Sequence, residues 1–295
     1  MSRIALLGAT SQIARDFADL AAGHHTLSLY ARRPEMIIGA LPFSEFGKTP
    51  QDMVVNFVGA GDPARIRQAG IGIIDTTQEF DELALDFIKK NRNCRYIFLS
   101  SGVASGLDFI SEGSTGQKKL IDITELAPQD YYSAAKFQAE GRHRALPDLS
   151  IIDLRVFNYF SHTGDWSARF FMTDIIRAIR DKAVLKTSPG IMVRDYLHRE
   201  DFYGMIKALI SAPAANKAVE CYSRAAIDKM TLLNEMASRF GLRYEMSEAG
   251  PAIVNATGSK PYYYSTNRDA AAFGYAPLYS SLDGLIKETS LLFPK

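Results

Sequence analysis

The chain has 295 residues, 47% hydrophobic and 23% charged, a content that excludes a mainly disordered protein. Its length fits one large α/β domain, or a domain with a smaller lobe. Thirty-four basic side chains against 33 acidic ones leave a net charge of +1, which argues against a nucleic-acid binder working through a basic face.

Hydrophobic periodicity predicts the elements. Ile4–Leu7 is a short buried strand broken at Gly8, and Ser11 to about Ala22 is a helix with Ile13, Phe17, Leu20 and Ala21 on one face. Leu27–Tyr30 is a second strand, stopped by Ala31-Arg32-Arg33-Pro34. Val54–Val58 is a third, stopped by Gly59-Ala60-Gly61-Asp62-Pro63. Helix Thr77–Lys90 carries Phe80, Leu83, Ala84, Phe87 and Ile88 on one face, and strand Tyr96–Leu99, helix Tyr131–Ala145 and strand Ile151–Phe157 follow. Continuous apolar strands separated by helices imply right-handed parallel crossovers, and so a doubly wound α/β sheet. Past Asn158, Pro189-Gly190, Pro213, Pro251 and Pro261 punctuate shorter elements. The expected division is a dinucleotide-binding Rossmann domain over residues 1–159, with 190–211 packing back onto it, and a smaller substrate-binding lobe from 160–189 and 212–295.

Strand, then Gly8-Ala9-Thr10-Ser11-Gln12-Ile13-Ala14, then helix is the setting of a dinucleotide fingerprint. Gly8 permits the tight turn, and the helix N-terminus offers free N–H groups to a pyrophosphate. In a Gly-x-x-Gly-x-x-Gly reading Ser11 stands for the second glycine, adding a Cβ and a hydroxyl able to donate to phosphate. Ala14 stands for the third and stays small. An ordinary β-turn-α corner would read the same way. At the end of the second strand NAD-preferring sites place Asp or Glu for the ribose hydroxyls, whereas this chain has Arg32 and Arg33, forked donors suited to a 2′-phosphate. NADP is the expected cofactor and NAD the second choice; a solvated arginine pair is the alternative.

Tyr132-Ser133-Ala134-Ala135-Lys136 opens a helix, so Tyr132 and Lys136 share a face one turn apart. The lysine can lower the phenol pKa, and the tyrosine can then shuttle a proton to or from a carbinol or carbonyl. The spacing recurs by chance, as in Tyr203–Lys207, which reads as packing. Context favours Tyr132, because Ser100-Ser101-Gly102 ends the strand before it and Ser101 can bond the reacting oxygen.

These stretches, with Val55-Asn56-Phe57-Val58-Gly59-Ala60-Gly61, resemble the short-chain dehydrogenase/reductase superfamily. Leu154-Arg155-Val156-Phe157-Asn158, Val193-Arg194-Asp195-Tyr196-Leu197-His198-x-x-Asp201 and Tyr262 to Tyr275 are similar to its extended branch, the NAD(P)-dependent epimerase/dehydratase family. The resemblance runs from Arg3 to about Tyr275. It implies Ser101, Tyr132 and Lys136 as the catalytic trio, with Lys136 also on the nicotinamide ribose. It implies Gly8, Thr10, Ser11, Gln12, Ile13, Arg32, Arg33, Val58 and Gly59 around the cofactor. Ser101, Asn158 and Arg194 fall on the substrate, the last two where relatives hold a diphosphate, although Arg194 and Asp195 flanking a strand would also suit an ion pair. Gly102-Val103 after Ser101 departs from the Asp-Glu pair of the 4,6-dehydratases, which argues against dehydration. The basic stretch before the last helix is reduced to Thr257-Gly258-Ser259-Lys260. Relatives pair two helices across a two-fold axis, so a homodimer is expected.

The two cysteines, Cys94 and Cys221, read as reduced thiols, with no Cys-x-x-Cys pair for zinc. His143 between Arg142 and Arg144 reads as a solvated face. His162 and His198 have no second histidine or thiol close by in sequence, so no metal is expected. No run of about 18 apolar residues occurs and Ile4–Leu7 is too short for a signal peptide, so a cytoplasmic protein without membrane or nucleic-acid partners is expected. The expected function is an NADP-dependent oxidoreductase or epimerase acting at a sugar hydroxyl or carbonyl, with a nucleotide sugar as substrate. The alternatives are a non-catalytic NADP-sensing protein of the same fold and a reductase of a non-nucleotide carbonyl compound.

Overall fold

Ile4, Ala5, Leu6 and Leu7 are all fully buried, which requires a packed layer on each face of the strand they form. The computed structural model describes residues 1–59, 61–112, 123–128, 130–247 and 260–294. Its first half contains β1 (Arg3–Leu7), α1 (Gln12–Ala21), β2 (Thr26–Ala31), β3 (Leu41–Pro42), β4 (Met53–Asn56), α2 (Pro63–Ala69), α3 (Gly72–Lys90), β5 (Arg95–Ser101), α4 (Tyr131–Arg144), β6 (Ile151–Val156) and β7 (Asn158–Phe160). Then come α5 (Phe171–Arg180), β8 (Val184–Thr187), β9 (Val193–Arg194), β10 (Tyr196–His198), α6 (Arg199–Ser211), β11 (Asn216–Cys221), β12 (Ile227–Asp228), α7 (Lys229–Phe240), β13 (Arg243–Met246), β14 (Tyr262–Tyr263) and α8 (Ser281–Leu292).

Among the described residues the main sheet has seven strands in the order β11-β6-β5-β4-β1-β2-β3, every neighbouring pair parallel. The order reverses between β1 and β4, so their C-terminal ends border the crevice where such sheets take ligands. One face packs on α1 and α6 through Ile4, Leu6, Phe17, Val55, Phe202, Met205 and Ile206. The other packs on α3 and α4 through Ala5, Leu7, Val54, Ala84, Leu85, Ile88 and Phe98. A second apolar centre joins α5, α7 and α8 through Ile175, Ile176, Leu232, Leu233, Met236 and Leu285. Short ladders accompany it: β13 on β8, and β12 and β14 on either side of β9.

Several predicted bounds move for local reasons. The third strand ends at Asn56 rather than Val58, because the Asn56 amide oxygen turns back to accept the Val58 N–H at 2.9 Å. The helix expected from Thr77 begins at Gly72, with the Thr77 hydroxyl bonded to the Ile73 carbonyl at 2.7 Å. Residues 216–221, assigned from sequence to the smaller lobe, are the edge strand β11 of the main sheet, paired along β6. Edge position leaves Asn216, Lys217 and Ala218 half-exposed, so no apolar run announces the strand.

Asp16 ties α1 to the segment that leaves the main sheet. Its buried carboxylate accepts the hydroxyls of Tyr159 (2.7 Å), Ser161 (2.6 Å) and Thr163 (2.6 Å). The Gln12 amide donates to Ser161 Oγ at 2.9 Å.

Candidate active site

Gly8 takes φ +82°, and a Cβ there would sit 2.9 Å from the Val58 nitrogen. Only glycine allows this turn to approach β4 so closely. The Gly8 and Ala9 amides donate to the Tyr30 carbonyl, whereas those of Thr10, Gln12 and Ile13 donate no bond among the described residues. These three point the helix N-terminus at an acceptor from outside. Ser11 caps α1, its Oγ accepting the Ala14 N–H at 3.3 Å, a bond that leaves its hydroxyl proton available to donate. Ala14 is fully buried, as close helix–sheet packing needs. Val58 and Gly59 face this turn from the end of β4; Ala60 lies outside the described residues. Arg32 and Arg33 are exposed after β2, and neither forms an ion pair among the described residues. The Arg32 guanidinium lies 5.8 Å from the Phe80 ring centre, on the rim of a cavity of about 400 Å³ lined by Phe43, Glu79, Phe80 and Leu83.

Ser101 ends β5, and the next residue must be glycine because a Cβ at Gly102 would meet the Phe157 ring at 2.5 Å. Helix α4 brings Tyr132 and Lys136 beside it. Lys136 is buried, its ammonium donating to the Leu99 carbonyl at 2.8 Å and lying 4.3 Å over the Phe98 ring. Its Nζ is 3.7 Å from where a Gly59 Cβ would stand, so α4 and the segment after β4 meet here. Burial pulls the ammonium pKa down to about 8, against the opposing charges of Asp81, Glu140 and Asp153. Burial raises the Tyr132 phenol, and a hydrogen bond with Ser101 offsets part of that. The offset expected from Lys136 is not found, because its Nζ turns to Leu99 and lies 5.9 Å from the Tyr132 ring centre. The sequence reading missed Tyr263 entirely. Its hydroxyl is 2.9 Å from Ser101 Oγ, delivered by β14 from the far end of the chain. Tyr203 packs on Phe17 with ring centres 5.9 Å apart, away from this group.

Arg194 is buried and, among the described residues, donates to the carbonyls of Val193 at 2.9 Å and Pro261 at 3.2 Å. No carboxylate among the described residues pairs with it, so the ion-pair alternative is not realised. Asp195 instead accepts the Ser223 N–H at 3.1 Å. Burial lowers the Arg194 pKa, as expected of a guanidinium without a counter-charge. Asn158 donates to the Asp195 carbonyl at 2.9 Å. Of the basic stretch before the last helix, residues 257–259 lie outside the described residues; Lys260 stands 5.7 Å from the Tyr263 ring centre.

The profile of the NAD dependent epimerase/dehydratase family matches residues 41–223. The chain belongs to that family. It is an enzyme of the extended short-chain dehydrogenase/reductase type. Among solved structures it is similar to the UDP-glucose 4-epimerase of Thermotoga maritima, determined with UDP-glucose, at 15% identity, TM-score 0.77 and 98% coverage of each chain. It is also similar to the Bifidobacterium longum UDP-glucose 4-epimerase, in complex with NAD⁺ and UDP, at 16% identity, TM-score 0.74 and 99% of each chain. The dTDP-glucose 4,6-dehydratase of Bacillus anthracis, in complex with NAD, matches at 16% identity and TM-score 0.75, over 99% of this chain and 96% of that one. No curated protein sequence matches. The residues present fit the family's dinucleotide, since the Gly8 turn and the open amides of Thr10, Gln12 and Ile13 form a pyrophosphate cradle.

Within this family member α4 rests on a polar layer. His143 is fully buried, not on a solvated face. Its Nδ1 is 2.5 Å from Asp153 and its Nε2 is 2.7 Å from Asp81. Tyr96 donates to Asp81 at 2.9 Å, and Asn56 donates to Tyr96 at 3.0 Å. Burial opposes the imidazolium, but the bonds and charges of Asp153 and Asp81 outweigh it and raise the pKa to about 9. One turn earlier, Glu140 accepts from Ser100 at 2.6 Å and from Arg155 at 2.6 Å. His162 and His198, isolated in sequence, both contact Glu288, at 2.6 Å and 2.8 Å. Burial works against that carboxylate's charge, but the two histidines hold its pKa down, near 2.

Proposed function

We propose that this chain is an NADP-dependent oxidoreductase or epimerase acting at a hydroxyl- or carbonyl-bearing carbon of a nucleotide sugar. The observation that carries the reading is the meeting of Ser101, Tyr132 and Lys136 at the end of β5, with Lys136 against the glycine end of β4. A bound nicotinamide dinucleotide supplies the hydride donor and acceptor. Ser101 orients the reacting oxygen, and Tyr132 takes or returns its proton. Lys136 gains charge stabilisation when a ribose or phenolate oxygen approaches its buried ammonium. The open amides of Thr10, Gln12 and Ile13 receive the pyrophosphate. The exposed, unpaired Arg32 and Arg33 favour a 2′-phosphate, although the similar structures named above carry NAD. Gly102-Val103 leaves no acid–base pair beside Ser101 for elimination.

Arg194 supports the nucleotide part of the substrate. A buried guanidinium with no carboxylate is costly unless an anion completes it, and Asn158 adds a neutral donor nearby. Calorimetry with UDP, GDP, CDP and dTDP tests this. One of them is expected to bind, and Arg194→Ala should weaken it by about 1.5–3 kcal/mol, the range for hydrogen bonds to charged groups, with NADPH affinity unchanged. Normal NADPH binding with none of the four bound would leave a free carbonyl compound as the substrate. A homodimer through α3 and α4 is part of the proposal, and the exposure of Phe137 (60%) on α4 and of Ile71 (62%) just before α3 favours it.

A further inference from the structure

Two phenols meet at one serine. Tyr263 OH lies 2.9 Å from Ser101 Oγ, and Ser101 also acts on the Tyr132 phenol, offsetting part of the rise that burial imposes on its pKa. The Tyr263 backbone is fixed by pairing with Arg194 in β9. Its ring is wedged between Phe109 and Phe157, with ring centres 5.0 and 5.1 Å away. A phenylalanine would fill that apolar nest equally well, so packing does not account for the hydroxyl.

A serine hydroxyl donates one hydrogen bond and accepts two. The Tyr263 phenol keeps its proton, because burial raises its pKa. Its proton has Ser101 Oγ, 2.9 Å away, as acceptor. The charged groups facing the pair are Lys136 on α4, Arg194 on β9 and Lys260 beside β14. All three are cations and none competes as an acceptor.

We propose that Tyr263 is a positioning residue for the reaction: its phenol donates to Ser101 Oγ and so commits the serine's own proton to the Tyr132 side, where the reacting oxygen sits. The inference rests on the reading of Ser101 and Tyr132 as the proton-handling pair and deepens it. A serine already accepting from Tyr263 is a stronger donor to a developing phenolate or alkoxide, because hydrogen bonds in a chain polarise one another. It also cannot turn its proton away from the reacting centre.

The test reads the titration of Tyr132 without needing a substrate. The full chain is labelled with 3-fluorotyrosine, and the fluorine resonances of residues 132 and 263 are assigned from Tyr132→Phe and Tyr263→Phe. Tyr263→Phe should raise the Tyr132 midpoint by about half a pH unit or more, since a donor to the phenolate has been weakened. Ser101→Ala should raise it at least as far, and adding Tyr263→Phe to Ser101→Ala should add nothing. A Tyr132 midpoint moved by Ser101→Ala but not by Tyr263→Phe overturns the inference and leaves the proton-handling pair standing. A midpoint moved by neither overturns both. Should Tyr263→Phe fail to fold, the Tyr263 resonance in Ser101→Ala serves: loss of its acceptor must move it, and an unmoved resonance refutes the proposal.

Discussion

Replacing His143 by glutamine tests the polar layer under α4. The imidazole is fully buried between Asp153 and Asp81, both also fully buried. Removing one partner of a buried charge pair typically costs about 3–5 kcal/mol. Here each aspartate keeps other support, Arg144 at 2.6 Å on Asp153 and Tyr96 at 2.9 Å on Asp81, so the low end applies. The pKa gives a second route to the magnitude. A rise from 6.5 to about 9, at about 1.4 kcal/mol per pH unit, is worth roughly 3 kcal/mol. Because the folded value is raised, this stabilisation is fully present below pH 6.5 and is lost as pH climbs through about 9. Thermal melts of wild type and His143→Gln from pH 6 to pH 10 provide the assay. At pH 7 the variant should melt about 5–8 °C lower. The gap should close toward pH 10, where the wild-type imidazole has lost its charge. A variant within about 1 kcal/mol of wild type at pH 7, or a gap that stays constant with pH, would show that His143 carries no charge in the fold.

Tyr132→Phe should lower turnover at least roughly a hundredfold, the usual scale for a general acid/base, with cofactor binding kept and Tyr203→Phe near wild type; an active Tyr132→Phe enzyme would mean another group moves the proton. NADPH should bind at least tenfold tighter than NADH, about 1.4 kcal/mol. Joint replacement of Arg32 and Arg33 by alanine should erase that difference in fluorescence titrations, and equal wild-type affinities would contradict the assignment. Light scattering should return twice the 32.7 kDa chain mass, and Phe137→Glu should yield monomer; a monomeric wild type at micromolar concentration would remove the dimer.

How much was legible in the sequence depended on how local the determining forces are. The Gly8 turn and α1 were readable because a steric need and an apolar stripe sit within a dozen residues. Tyr132 and Lys136 were readable because a helix fixes their spacing. His143 was misread for a physical reason. The inner face of α4 is polar, with Lys136, Glu140 and His143 all buried, so hydrophobic periodicity cannot see it, and the exposed arginines beside His143 mimic a solvated face. Asp153, a charged residue inside the buried run Ile151–Leu154, was the available hint. Tyr263 left almost no trace, since its partner is 162 residues away; three consecutive tyrosines after Pro261 were the only mark. Strand β11 escaped because an edge strand need not be apolar on both faces.

The Asp16 carboxylate gives the molecule a mechanical property of its own. It lies about one turn from the amides that would face a pyrophosphate, and three short bonds rivet it to residues 159–163 as they leave the main sheet. Gln12, inside the first turn of the same helix, adds a fourth fastening through Ser161. A rocking of α1 on its own would have to break these bonds, so a displacement at its N-terminus pulls residues 159–163 with it. Stiffening of the first turn of α1 and stiffening of the segment that leaves the main sheet go together in this fold.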